Sequence, residues 1–242
     1  MNKYKGKLIL VGAGPGDPEL ISIKGMKALQ NAFVILYDAL VHPSLLDYAP
    51  NAEKIYVGKR AGQHYSKQEE INELILAKIK EKKEVVRLKG GDPFIFGRGQ
   101  EEIDAVQPHG IEVEVIPGIS SVTGIPALHQ IPLTKRGTNE SLWIVTGTTS
   151  ACKLSEDIEI AAASKATVVI VMGMNQLEKI VQVFGQHRGW QTPIAIIQNG
   201  SFDNERTVVS TIQDVLISVE EAGISSPALI VIGEVVKWGR FN

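Results

Sequence analysis

Only one cysteine, Cys152, stands among 242 residues, so no internal disulfide can form and the chain suits a reducing compartment. A lone thiol beside Lys153 reads as inert rather than catalytic. Net charge is nearly absent too. The 25 Lys and Arg against 27 Asp and Glu leave a formal charge of −2, so no global field draws the protein to nucleic acid or a membrane surface. Long hydrophobic runs are missing; the longest, such as residues 167–174, are strand-sized and far short of a membrane span. The opening stretch MNKYKGKLILVGAG has basic residues and then an apolar run too short for a signal sequence, ended by glycines. There is no internal repeat and no low-complexity segment. The expectation is a cytoplasmic protein that binds neither nucleic acid nor membrane.

What is present is organised around residues 84–102, EVVRLKGGDPFIFGRGQEE. Val85, Val86 and Leu88 form a short apolar run that reads as a buried strand. Gly90 and Gly91 then remove two side chains in succession, and Asp92-Pro93 forces a turn. Phe94, Ile95 and Phe96 follow, Gly97 and Gly99 break the backbone again, and Glu101 and Glu102 open a helix. Paired glycines at a strand end let something approach the backbone closely. In an open α/β sheet, the carboxyl end of a strand is where ligands bind. The competing reading is a tight strand-to-helix turn with a few core aromatics.

The same rhythm runs through the chain. Apolar runs predict strands at 7–11, 33–36, 55–57, 85–88 and 112–116, then at 142–145, 167–172, 194–197, 206–211 and 229–232. A helix is expected near Ser22 with Ile23, Met26 and Leu29 on one face. A second follows a capping box of Ser66 and Glu69, with Ile71, Leu74, Ile75 and Ile79 as its stripe. Further helices are expected after Glu101, over 120–128, and behind Asn175, carrying Leu177, Ile180, Val181 and Phe184. This gives two α/β halves, 1–119 and 120–242, with a boundary in 117–123. Strand after strand ends in a small or acidic residue: Gly12, Asp38, Gly58, Gly90, Gly173 and Gly200. Those ends should gather on one edge of each sheet, and a cleft between the halves is the expected site.

The first loop invites a dinucleotide reading. Gly12 and Gly14 match the first two glycines of that fingerprint, and Asp38 stands where a ribose-binding acid would. The third glycine should fall at position 17, which is Asp17. A carboxylate there would repel a pyrophosphate at the helix start, and Pro15 removes a backbone donor. The loop is better read as binding something without phosphate.

The segments VGAGPGDPELISIKG, YDALV, GKRAGQH, RLKGGDPFIFGRGQEE, VIPGISS, IPLTKRG and SPALIVIGEVV together resemble the tetrapyrrole methylases, and within them the uroporphyrinogen-III C-methyltransferases. The resemblance runs from about Leu8 to Val236. It implies a two-domain fold, each half a mixed α/β sheet with flanking helices, in a homodimer that binds S-adenosylmethionine between the domains. It assigns cofactor contacts to Pro15, Gly90, Gly91, Asp92, Ile95, Ser120, Ser121, Met172, Gly200 and Ala228. Asp38 matches the candidate acid/base carboxylate and Lys59 the candidate proton donor. Gln100, Lys135 and Thr148 depart from the common pattern.

The chemistry agrees. S-adenosylmethionine has a cationic sulfonium and no phosphate, so Asp17 is no liability. Uroporphyrinogen III, the implied substrate, is a polycarboxylate, and a nearly neutral protein must concentrate cations locally to bind it. Arg60, Arg98, Lys135 and Arg136 are the candidates, with His64 near the first of them; arginine's fork suits carboxylates best. The implied reaction transfers a methyl group to two pyrrole carbons in succession, giving precorrin-2 and S-adenosylhomocysteine, for sirohaem or cobalamin synthesis. The leaving thioether is neutral, so the reaction calls for no metal. Two rivals stay open: a methyltransferase of the same fold acting on a later cobalamin precursor, a protein or RNA, and a nucleotide-binding redox or regulatory protein.

Overall fold

The computed structural model describes residues 6–58 and 68–241. Lys59, Arg60, His64 and Ser66 therefore lie outside the described residues. The chain divides into two compact units, Met1–Ser120 and Ser121–Asn242.

The first unit contains β1 (Lys7–Gly12), α1 (Ile23–Gln30), β2 (Val34–Tyr37), β3 (Glu53–Tyr56), α2 (Gln68–Lys82), β4 (Glu84–Lys89), α3 (Gly99–Val106) and β5 (Glu112–Ile116). Its strands form one sheet in the order β3-β2-β4-β1-β5, and every pair is parallel. Such a sheet needs both faces covered, and alternation along each strand sorts the side chains accordingly. Leu8, Leu10, Val34, Leu36 and Val85 pack with Ile71, Ile75 and Ile79 of α2 and with Ile103 and Val106 of α3. Ile9, Val11, Ile35, Val86 and Leu88 pack on the other face with Leu29 of α1 and with Leu45. By the same alternation Arg87 and Lys89 fall on the α2/α3 side, and Asp38 falls there with them. Because all five strands run one way, their carboxyl ends share an edge, which collects Gly12, Asp38, Gly58, Gly90 and Pro117.

Helix α1 begins where expected, with the Ser22 hydroxyl accepting the Gly25 N–H at 3.0 Å. Its buried stripe, however, is Gly25 and Leu29, and Ile23 is 71% exposed. Gly25 sets this: a Cβ there would press on Val11 at 3.1 Å, so the missing side chain lets the helix settle on the sheet and turns Ile23 outward.

The second unit contains α4 (Ser121–Leu128), β6 (Leu142–Thr146), α5 (Asp157–Ala163), β7 (Thr167–Val171), α6 (Leu177–Arg188), β8 (Pro193–Gln198), β9 (Arg206–Thr211), α7 (Val215–Ala222) and β10 (Ala228–Ile232). The sheet order is β6-β7-β10-β8-β9. Strands β6 and β7 are parallel, β10 runs antiparallel to both β7 and β8, and β9 is antiparallel to β8. Mixed pairing thus belongs to the second sheet. The ends of β6, β7 and β8 share an edge with the start of β10, so Ala228 stands opposite Gln198. Ile170, Ile196 and Ile230 pack with Phe184 of α6 and Ile158 of α5. Val169, Ala195, Ile197 and Val231 pack with Val122 and Ile125 of α4 and with Val235 and Val236.

Asn175 does not cap a helix. It sits inside a 3-10 turn, Met174–Gln176, and α6 starts at Leu177 with no side-chain cap. Leu177, Ile180, Val181 and Phe184 are buried as expected. Helices α5 and α7, 7 and 8 residues long, were not anticipated. Among the described residues no helix is long and apolar enough to cross a membrane.

Candidate functional site

At the carboxyl edge of the first sheet, three loops meet backbone to backbone. Gly14 and Gly91 exchange hydrogen bonds: Gly91 N–H to the Gly14 carbonyl at 2.7 Å, and Gly14 N–H to the Gly91 carbonyl at 3.2 Å. A Cβ on Gly12 would lie 2.5 Å from the Gly118 Cα and 2.7 Å from the Gly91 oxygen. A Cβ on Gly118 would run into the same Gly91 oxygen. The space each glycine vacates is therefore filled by another loop of the same unit. Close backbone approach, expected of glycines at a strand end, is made here by neighbouring loops. At Gly90 the filler is Leu40, whose Cβ would be 2.6 Å away, and at Gly97 and Gly99 it is the Pro93 carbonyl, at 2.5 and 2.7 Å.

Asp92 staples this arrangement. One carboxylate oxygen accepts the Phe94 N–H at 2.8 Å and the other accepts the Gly118 N–H at 3.1 Å, tying the loop after β4 to the loop after β5. Beyond it the chain is held in the left-handed region at Phe96 (φ 54°) and Arg98 (φ 60°), a conformation that costs energy for non-glycine residues. Phe94, Ile95 and Phe96 are 50%, 42% and 47% exposed, so they are not the core aromatics of the competing reading. Pro15 is buried. Asp17 caps the short 3-10 turn Pro18–Leu20, accepting the Glu19 N–H at 2.8 Å. The position a dinucleotide fingerprint reserves for its third glycine thus holds a capping carboxylate, and α1 starts only at Ile23.

Asp38 sits at the same edge with its side chain 26% exposed. One oxygen faces the N–H groups of Leu40 and Gly90 at 3.3 and 3.4 Å, and the other faces Arg87 Nη2 at 3.4 Å. Behind it lies a buried ionic cluster that sequence reasoning missed. Glu102 is wholly buried, and its Oε1 accepts from Arg87 Nε at 3.0 Å and Lys89 Nζ at 2.9 Å. Gln68 Nε2 approaches the same oxygen at 3.5 Å. Burial, then the neighbouring Arg87 charge, pushes the Lys89 amine below its ordinary pKa, and Glu102 opposes that. The available signal was two basic residues at alternate positions of an otherwise apolar strand, which demand a buried acid.

Apart from Ser120, the last residue of the first unit, the remaining assignments belong to the second unit. Ser121 opens α4, and Ser120 immediately precedes it. Met172 follows β7 in the left-handed region (φ 52°) and is 54% exposed. Its carbonyl accepts the Thr148 hydroxyl at 2.7 Å, so one of the departing residues supports an assigned one. Gly200 lies against Ile125, where a Cβ would be 2.7 Å from the side chain. Asn199, just before it, donates its N–H to the Pro227 carbonyl at 3.1 Å, which links the end of β8 to Ala228. Gln198 Oε1 is buried and has no hydrogen-bond partner among the described residues.

Arg98 spends its fork on Glu101, with Nε and Nη2 at 2.9 and 2.8 Å from the two carboxylate oxygens. Lys135 Nζ lies 4.7 Å from the centre of the Trp238 ring. Arg136 is exposed. No cluster of three or more metal-ligating side chains occurs among the described residues.

The site residues suit an adenosyl ligand. Backbone amides, an exposed thioether, an unpartnered amide oxygen and carboxylates line these edges, and no cationic phosphate cradle appears in the described glycine loops.

Known proteins share the fold and much of the sequence. The profile of the tetrapyrrole (corrin/porphyrin) methylases matches residues 7–216. A uroporphyrinogen-III C-methyltransferase of Methanocaldococcus jannaschii is 48% identical over 96% of this chain and 97% of its own length. A sirohaem synthase of Azotobacter vinelandii is 43% identical over 97% of this chain, which spans 51% of that longer protein. The crystal structure of a Thermus thermophilus uroporphyrin-III C-methyl transferase complexed with S-adenosylhomocysteine is 38% identical, with a TM-score of 0.83 over 96% of this chain and 99% of that one. With its profile, its near-full-length relatives and its fold in agreement, the chain belongs to the tetrapyrrole methylases.

Proposed function

We propose that this protein is an S-adenosylmethionine-dependent C-methyltransferase that methylates uroporphyrinogen III twice to give precorrin-2, feeding sirohaem or cobalamin synthesis. The observation that carries the reading is its end-to-end similarity to an enzyme named for that reaction. S-adenosylmethionine supplies an electrophilic methyl group on a sulfonium. Pro15, Gly90, Gly91, Asp92, Ile95, Ser120, Ser121, Met172, Gly200 and Ala228 are the proposed residues that hold it. The interlocked glycine loops present rigid backbone groups rather than flexible side chains, which favours positioning, and positioning is most of what such a transfer needs. Asp92 acts in this reading by fixing its loop.

Asp38 is the proposed proton-handling group. It is partly exposed, it stands at the sheet edge where ligands bind, and Arg87 and two backbone amides hold its carboxylate. Lys59 is its proposed companion. Arg60, Arg98, Lys135 and Arg136 are the proposed contacts to the substrate's carboxylates; Arg98 must leave Glu101 to serve. The protein is proposed to act as a homodimer in the cytoplasm.

The test is anaerobic incubation of the purified protein with uroporphyrinogen III and S-adenosylmethionine, followed by mass measurement of the tetrapyrrole. Gain of one and then two methyl groups is expected. A tetrapyrrole left unmethylated, while a later precursor is methylated, would refute the substrate assignment. In a thermal-shift comparison, S-adenosylhomocysteine should stabilise the protein, and NAD or NADP should not.

A further inference from the structure

The buried cluster behind Asp38 has a direction. Arg87 Nε is taken by Glu102 at 3.0 Å, and Nη1 donates to the carbonyls of Leu36 and Leu88 at 3.3 and 2.9 Å. Only Nη2 is left, and it points at Asp38 at 3.4 Å. The guanidinium is planar and rigid, so fixing two of its nitrogens fixes the third. Glu102 in turn is held through one oxygen, Oε1, which faces Arg87, Lys89 and Gln68; its Oε2 has no hydrogen-bond partner among the described residues, and the residue has no exposure to solvent. An ion cluster of this kind is a poor device for stability, since well-packed apolar side chains of similar volume serve as well or better. Its geometry serves something else: it delivers one oriented N–H to the one carboxylate of the group that is partly open to solvent.

We propose that Glu102, acting through Arg87, is a positioning residue for Asp38. Glu102 locks the guanidinium, the guanidinium orients the Asp38 carboxylate, and Lys89 supplies the second cation that keeps Glu102 compensated. The strand alternation that puts Arg87, Lys89 and Asp38 on the α3 side of the sheet makes the relay possible. The inference rests on Asp38 being the proton-handling group of the proposed reaction.

The experiment is a double-mutant cycle on the full chain with Glu102→Gln, Asp38→Asn and the pair, measuring kcat, both KM values, S-adenosylhomocysteine affinity by calorimetry, and Tm. Glu102→Gln keeps the shape and removes the charge. Its kcat should fall by about tenfold, less than the 10²–10⁴-fold that a general acid/base itself contributes because Asp38 remains in place, while both KM values and the calorimetric affinity stay within about twofold of the parent. The double variant should be no slower than Asp38→Asn alone, because residues acting as a unit are not additive. Independent, multiplicative losses in kcat would overturn the proposal and leave Glu102 a structural residue; so would an unchanged kcat in Glu102→Gln. Full activity in Asp38→Asn would end the reading of Asp38 itself, a distinguishable failure. If Glu102→Gln does not fold, Arg87→Lys is the second probe. It keeps the charge for Glu102 but loses the fork, and the same loss of kcat and the same non-additivity with Asp38→Asn are expected.

Discussion

Replacing Gly12 by Ala would separate two meanings of a glycine at a ligand-binding edge. Gly12 does not need a left-handed conformation, so alanine meets no backbone penalty of its own. The cost is steric. The new methyl would lie 2.5 Å from both the Cα and the N of Gly118 and 2.7 Å from the Gly91 oxygen, all main-chain atoms that cannot swing aside. Carbon contacts are comfortable at about 3.5–4.0 Å, so the loops must part by roughly 1 Å. That movement strains the Gly14–Gly91 pair, now at 2.7 and 3.2 Å, and the Asp92 staple on Gly118, now at 3.1 Å. Overpacking of this kind costs about 1–3 kcal/mol, and each weakened hydrogen bond adds about 0.5–1.5 kcal/mol. A loss of about 2–4 kcal/mol is expected from the two together. Urea unfolding and Tm of the ligand-free protein measure it, with S-adenosylhomocysteine calorimetry alongside. Stability and affinity should fall together. If the ligand-free protein kept its full stability and only ligand affinity collapsed, Gly12 would be making room for the ligand, and the interlocked-loop account would be wrong.

Three further outcomes are expected. Arg188→Met removes a side chain that donates to the carbonyls of Ala161, Ala162 and Ala166 at 2.6, 3.0 and 2.8 Å, and whose pKa burial pushes down to about 10; the loss should be about 2–4 kcal/mol, with S-adenosylhomocysteine affinity unchanged, and an unaltered Tm would refute the clamp. Glu114 is hydrogen-bonded by Lys24 at 2.6 Å and Lys7 at 2.7 Å, which hold its carboxyl down to about 2 from 4.5. A depressed carboxylate contributes stability that is present above the unfolded value and lost as pH falls through the folded one, so Glu114→Gln should flatten the Tm profile between pH 4.5 and 2, and an unchanged slope there would count against it. Solvent screening keeps the neutral-pH difference under about 1 kcal/mol. Glu101→Gln frees the Arg98 fork and should lower the KM for uroporphyrinogen III, whereas Arg98→Met should raise it; if both left that KM unmoved, Arg98 would not be a substrate contact.

Much of the fold was legible because it is written locally. Apolar or alternating runs, most of them closed by Gly, Asp or Pro, marked the ten described strands to within two residues, and a sheet whose strands all run one way must bring those endings together. That is why Asp38 and the Gly90–Asp92 turn could be named as edge residues before any coordinates. The family motifs then gave them roles. What the chain alone did not reveal depends on contacts between distant segments. Nothing local says that β10 inserts antiparallel between β7 and β8, placing Ala228 beside Gln198. Ile23 looks like a core residue until Gly25 is seen to settle on Val11. Nothing local says that Gly12, Gly91 and Gly118 meet one another backbone to backbone. Arg87 and Lys89 in an apolar strand call for a buried acid, but nothing local names it: Glu102 lies 15 and 13 residues away and meets them only in the folded unit. Residue order alone says which positions at each strand end are apolar, small or acidic. Which of those ends touch is set by packing, since burial and pairing of charge are properties of the packed sheet and not of the strand.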